Sequence, residues 1–160
     1  MSRSSQSAIV IIGIGNEFGR DDAVGLVVAR VLKEKGPPGV RIVEASGEPT
    51  SLIEMWNGAD IVILIDAVRT GARAGTIYRV DAHAEPIPAS LACHSTHAIG
   101  IVEAVELARV LNRLPPRLII YGIEGRDFAV GIGLSQDVQA AADDVSMRIA
   151  DEVSQWIGEV

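Results

Sequence analysis

The 160-residue chain contains one cysteine, Cys93, so no disulfide framework can form within it, and this sulfur usage fits a reducing compartment. Aromatic side chains are only 4% of the sequence while hydrophobic ones reach 48%. The interior must therefore be filled by Val, Ile, Leu and Ala, the residues that sit between helices and a parallel sheet. Positive charge is scarce as well: 14 Lys and Arg against 21 Asp and Glu leave a net charge of -7, a field that repels nucleic acid and anionic membrane. No apolar run reaches the roughly 18 residues of a membrane span. AIVIIGIG, from Ala8, stops at Gly15 before Asn16 and Glu17, and the opening MSRSSQS has no apolar stretch of its own. These absences point to a cytoplasmic protein with neither a nucleic-acid nor a membrane partner. The length suits one domain over residues 1–160, with 1–7 a flexible N-terminus, and oligomeric state stays open.

What is present reads as alternating strands and helices. AIVIIGIG is a β-branched run ending in glycines, a buried strand. Val24, Val27, Val28, Val31 and Leu32 then recur at helical spacing until Gly36-Pro37-Pro38-Gly39. VRIVEAS from Val40 gives a second strand, and Glu48-Pro49 opens a short helix through Trp56 in which Ser51 and Glu54 form a capping box. DIVILIDAV from Asp60 is a third strand. The link to GTIYRVD, from Gly75, is too short for a crossover helix, so the fourth strand runs antiparallel to the third. A helix with Ile101, Val102, Val105, Ala108 and Leu111 on one face follows HAEPIPASLACHST. RLIIYGIEG from Arg117 is a fifth strand, and a last helix starts at Ser135 with Val138, Ala142, Val145, Ile149, Val153 and Trp156 inside. The expected fold is α/β: a three-layer sandwich with a five-stranded, mostly parallel twisted sheet, one antiparallel strand, and helices on both faces.

Ligands of such sheets gather beyond the carboxyl ends of the strands. That rule selects the loop from Asn16 to Asp22, Asp66 at the end of the third strand, and the loop carrying His94 and His97. Gly13, Gly15 and Gly19 suggest a dinucleotide fingerprint, with Glu44 as the acid for a ribose, but the spacing G-x-G-x-x-x-G is one residue too long. Asp21 and Asp22 would also repel a pyrophosphate at the helix start. Their ordinary reading is that one caps the helix and both answer its dipole, with Glu17 and Arg20 as solvated loop residues. Asp66 ends an all-apolar run, where a carboxylate either accepts backbone hydrogen bonds from the next turn or serves chemistry; both readings stand. Of the three histidines, His83 reads as surface. His94 and His97 form C-H-x-x-H with Cys93, a weak metal pattern when taken alone. No G-x-S-x-G nucleophile elbow is present. Two carboxylates and an imidazole, delivered from three connections to one end of the sheet, suit a divalent metal with open coordination positions. A non-catalytic nucleotide- or metal-binding α/β module is the alternative.

The series G-x-G-N, D-D-A-V-G, a strand ending D-A, S-T-H-A-I-G, Y-G-I-E-G and G-L-S resembles the hydrogenase maturation proteases, from about Ile9 to Val153. The resemblance implies a mixed five-stranded sheet and a metal-contacting trio that falls on Asp22, Asp66 and His97, which would be both the metal ligands and the catalytic residues. Some relatives carry Glu at the position of Asp22. The implied activity is an endopeptidase that removes a short C-terminal extension from the nickel-loaded large-subunit precursor of a nickel-iron hydrogenase. Nickel would come mainly from that substrate, with zinc or cadmium able to substitute. GIEG departs from the proline that relatives often carry there. Gly13, Gly15 and Asn16 are expected to shape the first loop; His83, Cys93 and His94 receive no role.

Overall fold

A computed structural model describes residues 7–92 and 98–158. The N-terminus expected to be flexible lies, apart from Ser7, outside the described residues, as do Cys93, His94 and His97. Strand β1 (Ile9–Ile14) passes through a 3-10 turn (Arg20–Ala23) into helix α1 (Val24–Lys35). β2 (Val40–Ala45), α2 (Pro49–Met55) and β3 (Ile61–Val68) follow. β4 (Ile77–Asp81), the short α3 (Ala89–Ala92), α4 (Ala98–Val110), β5 (Arg117–Glu124) and α5 (Gln136–Gly158) complete the order. The five strands make one sheet in the order β2-β1-β3-β5-β4.

All pairings are parallel except that of β4 with β5. β4 thus runs antiparallel to β3, as the short link between them requires, but β5 inserts between the two. The reason is burial. β5 is buried along nearly its whole length and belongs inside the sheet, whereas β4 leaves Arg79 exposed and tolerates an edge.

Strand alternation divides the core in two. Ile12, Leu64, Leu118 and Ile120 face α2 and α4, where they meet Leu52, Trp56, Ile101 and Val105. Ile11, Ile63, Ile119 and Tyr121 face α1 and α5, where they meet Val28, Leu32, Val145 and Ile149. The inner stripe expected for α5 is buried except for Trp156, which is half-buried and lies under the Arg117 guanidinium. Two expectations need correction. Leu111 is exposed, because α4 ends at Val110 and Asn112 takes a left-handed φ of 56°; Ala104 fills the buried stripe instead. The capping box of Ser51 and Glu54 does not form, because Glu48 itself caps α2, accepting from the Thr50 and Ser51 backbone N–H groups at 3.1 and 2.8 Å. The Thr50 and Ser51 hydroxyls and those two N–H groups together hold the Glu48 carboxyl down at about 2.

Helix α1 is pressed onto the sheet at Gly25. A Cβ there would stand 2.3 Å from the carbonyl oxygens of both Ile14 and Ile65, and one at Gly13 would stand 2.2 Å from the Gly25 carbonyl. Only hydrogen fits at either place, so the two glycines fix how closely the first turn of α1 approaches the carboxyl ends of β1 and β3.

Two buried carboxylates hold the loops at this edge. Neither Asp21 nor Asp22, one of which the sequence makes a helix cap, does so, since no side-chain cap bond forms at the 3-10 turn or at α1; Asp21 is fully buried. It reaches across to the loop after β5. Oδ2 accepts from the backbone N–H of Arg126 and Asp127, both at 2.8 Å, and from the Ser135 hydroxyl at 2.7 Å; Oδ1 accepts from the Ser135 N–H at 2.7 Å. Burial by itself would push this carboxyl up, but the donors of Asp127, Ser135 and Arg126 outweigh it and hold the group below the ordinary carboxylate range. Glu124, equally buried, accepts from the Thr70 and Gly71 N–H groups at 2.9 Å each and from the Thr70 hydroxyl at 3.0 Å, which fixes the turn after β3.

Gly25→Ala is expected to destabilise the protein by about 1–3 kcal/mol or more in urea unfolding, through overpacking against backbone that cannot retreat. Gly158→Ala, where nothing lies within 4 Å, should be near neutral. Asp21→Asn should lower stability near neutral pH by about 2 kcal/mol, because an amide turns a donor toward N–H groups. The folded-state pKa of Asp21 lies below the unfolded one, so its contribution is complete above roughly 3.9 and is lost as pH falls through the folded value. Acid titration of wild type and variant should therefore converge at low pH.

Candidate functional site

The connections from β1 and β3 leave the sheet in opposite directions. α1 carries the chain from β1 to β2 on one face, whereas α4 covers the other face on the side of β5. Such a switch opens a crevice at the carboxyl ends of the two strands. Pairing of β1 with β3 ends at Gly13 and Ile65, so Asp66 is the first residue of β3 past the β1 ladder, still paired to Gly122 of β5.

Asp66 shares the alternation of Leu64 and Val68 and so belongs to the α4 face, where it lines a small cavity with Ile87, Leu91, Ile101 and Ile120. It is 1% exposed, and its Oδ1 accepts from the Ala67 N–H at 2.8 Å. The backbone bond that one reading anticipated is therefore made, with the adjacent residue. Asp22, 7% exposed, sits in the 3-10 turn packed against β3, with its side chain against Gly19. Its backbone closes the first loop: the Asp22 N–H donates to the Gly19 carbonyl at 3.1 Å, and its carbonyl accepts from Asn16 at 3.3 Å. Asn16 Oδ1 takes the Phe18 N–H at 3.0 Å, and a Cβ on Gly15 would stand 2.3 Å from the Asp22 carbonyl. The shaping role expected of Gly13, Gly15 and Asn16 is what these contacts describe.

Gly25, in the first turn of α1, touches the Ile65 carbonyl, so Asp22 just before it and Asp66 just after Ile65 are delivered to one edge of the sheet. His97 lies outside the described residues. The helix that follows it is anchored at the same edge, since a Cβ on Gly100 in its first turn would stand 2.3 Å from the carbonyl of Gly47, just past β2. Among the described residues no three of His, Cys, Asp and Glu group as metal ligands, and the trio contributes two carboxylates. Two oxygen donors at a crevice suit a divalent cation whose other positions remain for a substrate.

Other candidates resolve into local structure. Gly13 and Gly15 are used for close packing, since a Cβ on either would meet the Gly25 or the Asp22 carbonyl. Glu44 is held by Arg30 at 2.9 Å and Lys33 at 3.3 Å, and Glu17 by Arg30 at 3.2 Å. Arg20 is more than a solvated loop residue: it takes a left-handed φ of 51°, its guanidinium fills the space a side chain at Gly131 would need, and its Nε lies 3.6 Å from Asp127. His83 is exposed as expected, with Nε2 2.6 Å from the Pro115 carbonyl.

Sequence reasoning missed the loop from 125 to 135 as a wall of the site. Gly19 bridges Gly131, with the Gly131 N–H donating to the Phe18 carbonyl at 2.8 Å and the Arg20 N–H to the Gly131 carbonyl at 3.1 Å. Phe18, Val130 and Ile132 flank this bridge and are all exposed, Val130 at 91%. The available signal was the isolated apolar residues Val130 and Ile132 among glycines.

Comparison with known proteins bears on the fold and the family. The family model described as hydrogenase maturation protease matches residues 26–152, a stretch that includes Asp66 and His97 and begins just after Asp22. The hydrogenase expression/formation protein HoxM of Cupriavidus necator is 25% identical over 153 residues, covering 94% of this chain and 76% of its own. Protein FrxA of Pyrococcus furiosus is 30% identical over 125 residues, covering 76% of this chain and 87% of its own. Among solved structures, the hydrogenase maturating endopeptidase HybD from Escherichia coli superposes with a TM-score of 0.80 at 20% identity, over 92% of each chain. HybD from Thermococcus kodakarensis gives 0.73 at 24% identity, over 91% of this chain and 97% of its own, and shows the same fold. With most of its length matched by the family model and its sheet shared with these structures, the chain belongs to the hydrogenase maturation protease family.

Proposed function

We propose that the protein is a metal-dependent endopeptidase that removes a short C-terminal extension from the nickel-loaded large-subunit precursor of a nickel-iron hydrogenase. The observation that carries this reading is the delivery of Asp22 and Asp66, both buried carboxylates, to the crevice between β1 and β3. His97 completes the trio by its place immediately before α4. Nickel arrives as part of the substrate, and an edge offering two carboxylates and one imidazole suits reading a metal that the precursor already holds in part. A divalent ion at such a place polarises a carbonyl or lowers the pKa of a water. Asp22 and Asp66 would then orient the metal-bearing end of the precursor, while the exposed Phe18, Val130 and Ile132 offer the chain beyond it an apolar surface. Among the described residues no helix is long and apolar enough to cross a membrane; the partner would be met in the cytoplasm.

Incubation with a nickel-loaded precursor, followed by mass measurement of its C-terminus, should show loss of one short peptide. Asp22→Ala, Asp66→Ala and His97→Ala should each slow that cleavage at least about a hundredfold, with unchanged circular dichroism. Normal processing by all three variants would remove the site assignment. In thermal-shift measurements, stabilisation by nickel, zinc or cadmium is expected; a response to NAD or ATP alone would favour the nucleotide-binding alternative.

A further inference from the structure

We propose that Arg69, Arg73 and Arg126 form a carboxylate-binding site beside the candidate centre, which holds an acidic group in the C-terminal segment of the precursor. The proposal rests on the proteolytic reading above and deepens it. The three arginines line a depression of about 400 Å³ together with Gly71, Glu124 and Asp137. In a chain of net charge -7, three of the 14 Lys and Arg side chains line this one depression. Among the described residues the ion pairs use other cations, and none of these three arginines has an acidic partner within ion-pairing distance. Glu124 and Asp137 set two carboxylates against three guanidinium groups at this depression, and the Glu124 oxygens are already turned to the Thr70 and Gly71 donors, so the arginines keep their own donors for a further carboxylate.

The site is built rather than incidental. Glu124 fixes the turn between Arg69 and Arg73, and Asp21 grips the backbone N–H of Arg126. The Arg69 guanidinium lies over the Phe128 ring at 4.8 Å, which holds its plane in place. Arg69 follows β3 directly, three residues beyond Asp66, so it stands roughly 10 Å further along the extended chain. Arg126 is tied to the immediate neighbour of Asp22. A peptide leaving the crevice over the ends of β3 and β5 passes this depression within a few residues, and a guanidinium fork matches a carboxylate in geometry and charge.

The test measures fluorescence anisotropy of a labelled peptide copying the last residues of the precursor. It is used with a free C-terminus, with an amidated one, and with its Asp and Glu replaced by Asn and Gln, at about 0.05 and about 0.3 M NaCl. Tenfold weaker binding of the amidated peptide assigns the site to the terminal carboxylate; the same loss with the Asn/Gln peptide assigns it to an acidic side chain. With whole precursor, the Arg69→Glu, Arg73→Glu, Arg126→Glu variant should raise KM about tenfold with kcat within twofold, and the corresponding Lys variant should stay within threefold of wild type. Equal binding of acidic and neutralised peptides by wild type, or an unchanged KM in the charge-reversed variant, would overturn the proposal. Failure of wild type to cut the precursor would overturn the proteolytic reading instead, since peptide binding is read without cleavage.

Discussion

The backbone contact between Gly25 and the carbonyls of Ile14 and Ile65 sets the geometry of everything at the carboxyl edge of the sheet. It brings the start of α1 to hydrogen-atom distance from two strand ends, so that the turn before it, with Asp21 and Asp22, cannot stand away from the crevice. Gly13 makes the same approach possible from the strand side, and Gly100 does so for α4 against Gly47. Glycines of the first motif that resemble a phosphate cradle thus serve close packing of helix on strand.

Among the described residues four buried acids lie near this edge, and two of them have a plain structural role. Asp21 and Glu124 each bind the backbone of a neighbouring loop with three or more short hydrogen bonds, and so act as fasteners between the first loop, the turn after β3 and the loop after β5. A carboxylate is suited to that work because two oxygens can accept from several N–H groups that would otherwise be buried without partners. Asp22 and Asp66 stand where the strand connections part, on the crevice itself. The fasteners also set the loops that carry Arg69, Arg73 and Arg126, so the acidic and basic parts of the edge share one framework.

Much of the fold could be read directly from the residues. The β-branched runs of β1, β3 and β5 and the helical spacing in α1 and α5 arise from burial on one or both faces, and burial leaves a periodic trace. The weaker elements were less clear. The expected capping box is absent because α2 already begins at Pro49, which puts Ser51 inside the helix with its N–H taken by the Glu48 carboxylate, and Leu111 fell outside α4 because Asn112 turned left-handed one residue later. Asp66 and Glu124 illustrate the limit for sites: each is an acid near the end of an apolar strand, and nothing local to the two sequences tells a candidate ligand from a loop fastener.

The sequence alone determined the α/β class, the antiparallel direction of β4 and the residues from which a site could be chosen, because hydrophobic period and loop length act over short stretches of chain. Only the tertiary structure decided that β5 stands between β3 and β4, that Asp21 clasps Ser135 rather than its own helix, and that three distant arginines share a depression. Those outcomes depend on which backbone donors and charges from remote segments become neighbours after the sheet closes, and that information is carried by no single stretch of residues.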